Sequence, residues 1–173
     1  MSHCTCENAP PLNVHGPVVD DERLGRFALN PLHVDPKTLR LKPESIRDKH
    51  LFDGVSFTRV DKIELPELTN HAEDLAAQLK GVKSKYIALV KTSAIRALKH
   101  DSNGTRLFCV SEDPVLHPPE VRENLAHCLA TPCTSLFVPL PEPTELEIPD
   151  LHFYRLQLVS LFPSAIELHN VYA

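Results

Sequence analysis

The stretch "PELTNHAEDLAAQLKGVKSKYIALVKTS", residues 66–93, carries the reading on which the fold turns. In its first half Leu68, Ala72, Leu75 and Leu79 recur near helical spacing, Pro66 suits a first helical turn that needs no amide there, and Gly81 supplies a stop. In its second half KYIALV is a short unbroken apolar run, which reads as a buried strand. The strand leads directly into KTSAIRALKH, where the side-chain oxygen of Thr92 or Ser93 can cap a short helix by accepting from its first amides.

Working outward, the upstream chain reads as extended pieces. A short strand is expected at 24–29, ended by the Asn30-Pro31 breaker, and TLRLK is a second brief extended piece. KPESIRDKH is polar and turn-prone. GVSFTRV then alternates, with Val55 and Phe57 on one face and Ser56 and Thr58 on the other, as a half-buried strand requires.

Downstream, DSNG is a turn and TRLFCV the next strand. PPEVRENLAHCLA is expected to be a helix with Val121, Leu125, Cys128 and Leu129 inward, ended by Thr131-Pro132. TSLFVPLP reads as a strand, EPTELEIPD as an acidic connector, LHFYRLQLVSLF as a long alternating strand and AIELHNVY as its antiparallel neighbour. Prolines 139, 141, 143 and 149 fit an edge or connector, because a central strand would lose ladder bonds there.

This order predicts an α+β fold, a mixed and mostly antiparallel sheet with about three helices in a single domain over 23–173, preceded by a proline-rich arm over 1–22. The competing arrangement is a doubly wound parallel sheet, since residues 66–130 alternate helix and strand. The strand-rich ends of the chain favour the α+β form.

Composition narrows the function classes. With 173 residues, 42% hydrophobic and 24% charged, the chain has the size and balance of one globular domain. A formal net charge of -5 argues against sequence-independent binding of double-stranded DNA, which relies on basic residues displacing counterions. No run reaches the roughly 18 apolar residues of a membrane helix, and the N-terminus lacks the basic-then-apolar layout of a secretory signal. A soluble, cytoplasmic protein is expected on both counts, and five cysteines, an odd number, lead to the expectation of reduced thiols.

Motif by motif, the ordinary reading competes with a chemical one. His3, Cys4 and Cys6 are metal-capable, and the only second half available to them is His127, Cys128 and Cys133. Cys4 and Cys6 are separated by one residue, whereas zinc knuckles space their pairs by two to four, so the ordinary reading is an exposed arm and no metal is expected. LVKTS lacks the glycine-rich loop that would cradle a phosphate, and no dinucleotide, nucleophile-elbow or zinc-protease motif is present. Among the ten histidines, His33 in NPLHVD has Asp35 two residues on to orient it, and His127 sits at the edge of an apolar face; these two are the candidate catalytic residues. The others, His71 among them, read mostly as surface residues.

Arg47 and Arg59 flank a glycine turn with Ser45 and Ser56 close by, and are the candidate anion-binding pair, since a planar guanidinium can grip a phosphate with two bonds. Their ordinary reading is surface pairing, Arg47 with Glu44 or Asp48 and Arg59 with Asp61.

Three functions follow in order. The first is a small cytoplasmic binding or interaction protein, an accessory or subunit with a protein partner, whose LHFYRLQLV strand could pair edge to edge. The second is a nucleotide- or phosphoester-handling enzyme in which His33, Arg47, Arg59 and His127 converge on one pocket. The third is a zinc-stabilised domain. No organic cofactor is implied.

Overall fold

The computed structural model describes residues 15–102, 104–116, 122–133 and 148–173, with the backbone alone at 148–150. Its centre is β1 (Arg23–Asn30), buried along most of its length because strands flank it on both sides. β1 pairs antiparallel with β2 (Val55–Arg59), Leu24 opposite Arg59, and with β3 (Ser84–Lys91), from Arg23 opposite Lys91 to Asn30 opposite Ser84. β5 (His127–Pro132) adds to β2, β4 (Phe108–Glu112) adds to β5, and the two-residue β6 (Ile166–Glu167) closes the other side on β3. The order is β4-β5-β2-β1-β3-β6, every pair antiparallel, so the fold is α+β as the strand-rich ends of the sequence predict. Among the described residues no parallel pair exists to support a doubly wound sheet.

Alternation sends successive residues of each strand to opposite faces. Leu24, Ala28, Phe57, Ala88 and Cys128 meet one layer, built from α1 (Asp48–Asp53), α3 (Thr92–Ala97) and α4 (Ile148–Ser160). The other face carries α2 (Leu65–Ala77) and the C-terminal turn, where Val60, Leu68, Ala72, Ile87 and Leu168 form a second cluster. On that face β1 contributes Gly25. A Cβ there would lie 2.3 Å from Ile87 Cδ1 and 2.8 Å from Val60 Cγ1, so only glycine lets the neighbouring side chains close over the strand.

α2 matches its sequence pattern, with Pro66 in the first turn and Gly81 at positive φ beyond its end. α3 begins at Thr92, but its first amides are satisfied differently from the expected self-capping. Thr92 N and Oγ1 both donate to the Glu22 carbonyl, at 3.0 and 3.2 Å, and Ser93 N donates to the Asp20 carbonyl at 3.0 Å. Residues 15–22 thus lie against the domain, with Val18 and Glu22 buried. Residues 1–14, including His3, Cys4 and Cys6, lie outside the described residues, as do the TSLFVPLP strand and most of the acidic connector.

Two elements differ from expectation. Residues 127–132, read as the end of a helix, form strand β5, because Cys128 and Ala130 alternate inward against β2 while His127 faces the α2 side. LHFYRLQLVSLF, read as a strand, is mostly α4: Leu151, Tyr154 and Leu158 are buried at helical spacing and Leu156 between them is exposed. Both periods are present in that segment, and the layer above the sheet selects the helical one. β6 accordingly pairs with β3 rather than with residues 151–162, and TLRLK contributes only a single bridge, Leu41 to Val34.

Candidate functional site

Between α2 and the sheet lies a cleft of about 230 Å³. Phe27 from β1, Leu75 from α2 and Val115 give it apolar walls. β2 adds Thr58, and the segment leading into β5 adds Asn124 and His127. That segment is held by reciprocal Val115–Asn124 backbone bonds, both 3.0 Å, and by Arg59 N donating to the Ala126 carbonyl. At the rim Arg122 ties the same segment to α2 through Asp74, side chain to side chain at 3.1 Å and backbone amide to carboxylate at 3.0 Å.

Polar groups inside the cleft are incompletely satisfied. Asn124 Nδ2 donates to Thr58 Oγ1 at 3.3 Å, yet Asn124 Oδ1 is buried with no hydrogen bond. His71, on the inward stripe of α2 between Leu68 and Leu75, is 7% exposed; its Nε2 makes no hydrogen bond, and the nearest carboxylate, Glu67, is 3.7 Å away. Burial pushes the His71 pKa down against the opposing pull of Glu67, so the ring is neutral at physiological pH. Each buried atom left without a partner costs about 1–3 kcal/mol, and a ligand supplying the partners recovers that cost.

His127 is the best-oriented side chain of the cleft. Its Nδ1 lies 2.6 Å from the Asp113 carbonyl and 3.1 Å from Asp113 Oδ2. A carbonyl only accepts, so Nδ1 carries the hydrogen and Nε2 is left as the basic nitrogen.

The four residues singled out in the sequence do not share a pocket. His127 lines this cleft. Arg59 is wholly buried and donates to both Glu22 oxygens, at 2.6 Å each, and to the Gly16 and Pro17 carbonyls at 2.7 and 3.2 Å; a pairing with surface Asp61 is replaced by this interior one. Asp61 instead pairs with Arg23. The charges of Arg26, Arg47 and His50 bear on His33, on the side of β1 opposite Phe27. Neither His33 nor Arg47 lines the α2 cleft.

The metal-clip residues separate as well. His127 and Cys128 are neighbours on a strand and face opposite sides, and Cys128 is buried where desolvation pushes its thiol far up, disfavouring the thiolate a metal requires. Among the described residues no three His, Cys, Asp or Glu side chains are grouped to hold a metal ion.

Sequence reasoning missed His71, Asn124, Asp74 and Arg122. His71 carried a signal, since it falls on the apolar stripe of α2. Asn124 carried none while its segment was read as helix.

The class defined by the described residues is an α+β domain with a six-stranded antiparallel sheet, helices on both faces and a mostly apolar cleft under one of them. No family model, no curated protein and no solved structure matches the chain. Among the described residues no helix is long and apolar enough to cross a membrane.

Proposed function

We propose that the protein is a small cytoplasmic binding protein whose α2 cleft receives a compact ligand with an apolar body and a head that both donates and accepts hydrogen bonds. The observation that carries this reading is the pair of buried, unpartnered atoms, His71 Nε2 and Asn124 Oδ1, on residues that line an apolar cleft. Pockets of this kind fix orientation with a few polar groups and gain affinity from their walls. A volume of about 230 Å³ suits one ring or one side chain rather than a dinucleotide. In an accessory protein the occupant is an anchoring side chain of the partner. Residues 151–160 are helical, so LHFYRLQLV offers that partner no edge strand.

Single-ring amides are the direct probes. Titrating nicotinamide and benzamide into isotope-labelled protein should shift the resonances of His71, Asn124 and His127, and Asn124→Leu should abolish the response. Absence of any shift at these residues at millimolar amide overturns the reading.

A second reading, an enzyme acting on phosphoesters, keeps one observation in its favour, the His127 ring oriented by Asp113 with a basic Nε2. Hydrolysis of p-nitrophenyl phosphate that is lost in His127→Gln would support it; equal rates in both proteins would remove it.

A further inference from the structure

Arginines of the domain are held by carboxylates: Arg23 by Asp61, Arg59 by Glu22, Arg96 by Asp20, Arg122 by Asp74 and Arg155 by Asp48. Arg26 is different. It is 9% exposed, yet no carboxylate among the described residues reaches ion-pair distance. Its guanidinium donates only to main-chain carbonyls, Ser56 O at 3.0 Å and Ser45 O at 2.8 Å, and its Nε has no partner. Ser45 Oγ, on the loop that Arg26 holds, is buried and unpartnered too.

The neighbours of Arg26 add donors rather than acceptors. His33 Nδ1 accepts from Leu29 N at 3.4 Å and His50 Nδ1 accepts from Arg47 N at 3.2 Å. Both neutral rings therefore carry their hydrogen on Nε2; the His33 ring is also engaged by the Phe27 backbone, and His50 remains a donor without being charged. Arg47, exposed at the start of α1, completes the group. Of the other charges bearing on it, Lys49 adds to the positive field and Asp53 opposes it at His50. Glu44 and Asp48 flank Ser45 and Arg47 along the chain, and Asp48 is held by Arg155. A buried cation without a counter-ion is costly, and Arg26 beside Arg47 and two imidazoles has the electrostatics of an anion site.

We propose that Arg26, His33, Ser45, Arg47 and His50 form a binding site for a phosphate group, free or as a monoester, on the face of β1 opposite the α2 cleft. A phosphate brings a charge of about -1.5 to -2 and three acceptor oxygens, which match two guanidiniums and the imidazole and hydroxyl donors better than a single carboxylate does. Arg26 is buried and fixed by its two carbonyls, and Arg47 is exposed. The site does not depend on the cleft reading, since the two share no residue that lines them.

The test is calorimetric titration of the full chain with inorganic phosphate, O-phosphoserine and acetate at one ionic strength and pH 6.5. Phosphate or phosphoserine should bind at least tenfold more tightly than acetate, and binding should take up protons, seen as heats that depend on the buffer's ionisation enthalpy, because an anion favours the charged histidines. Phosphoserine binding identifies the monoester as a source, and phosphate binding alone identifies the free ion. Arg47→Gln and His50→Gln, both at positions outside the core, should each weaken binding about tenfold while the thermal midpoint without ligand stays near that of the wild type. Acetate binding as well as phosphate, or unchanged affinity in both variants, overturns the proposal.

Discussion

Arg59 and Glu22 form a closed pair in the interior, 37 residues apart, with both guanidinium-to-carboxylate contacts at 2.6 Å and neither side chain more than 5% exposed. The remaining Arg59 donors hold the carbonyls of residues 15–17, and the Glu22 carbonyl in turn receives Thr92. One buried pair thus ties the segment before β1 to β2 and α3. Removing one partner strands the other charge, at a cost of about 3–5 kcal/mol. Glu22→Ala should therefore lower the urea unfolding free energy by that amount, whereas the double variant Glu22→Leu, Arg59→Met should lose clearly less than the two single changes added together.

Acid should weaken the fold through its histidines. Burial, then the fields of Arg26, Arg47 and His50, push the His33 pKa down to about 4, and His50 and His71 are lowered chiefly by burial. In the unfolded chain these rings titrate near 6.5. Above that pH they are neutral in both states and contribute nothing to the pH slope. As the pH falls below about 6.5, the unfolded chain takes up protons that the folded one refuses, so stability declines until about pH 4, where His33 protonates in the fold as well. Urea midpoints between pH 7.5 and 4.5 should fall accordingly, and His33→Gln should flatten the slope by about one proton.

The close approach at Gly25 makes a steric prediction. A methyl group there meets Ile87 Cδ1 at 2.3 Å and Val60 Cγ1 at 2.8 Å, and well-packed interiors yield to an added carbon only at about 1–3 kcal/mol. Gly25→Ala should lower the thermal midpoint. Ile87→Val, which deletes the Cδ1 atom, should restore part of the loss when combined with it, although alone it is destabilising.

How much of this was legible in the sequence depended on whether one periodicity stood alone. β2 and α2 show a single period and β1 and β3 are short segments ended by a breaker or a cap, and each forms close to where its pattern places it. Residues 127–132 carry helical and alternating patterns together, and their pairing with β2 on one side and β4 on the other selects the strand. The site was less legible than the fold. His127 was visible, but its cleft is completed by Asn124, whose position follows from that same tertiary choice, and by His71, which the apolar stripe of α2 carries inward. Arg26 sits at an inward-facing position of an alternating strand, a departure from pattern that a local reading of β1 passes over.

Residues 151–162 provide the sharpest discrimination between the two periods. An alternating strand would place Leu156 and Leu158 on one face, in equivalent surroundings. In α4 they part: Leu158 is fully buried beside Leu151 and Tyr154, and Leu156 is 41% exposed. Leu158→Ala should cost about 2–5 kcal/mol, the range for deleting a buried leucine side chain, and Leu156→Ala should stay within about 0.5 kcal/mol of the wild type, as exposed positions do. Chemical denaturation of the two variants measures both. Equal losses would mean that this segment packs by alternation, and the layer over the sheet would have to be rebuilt without α4.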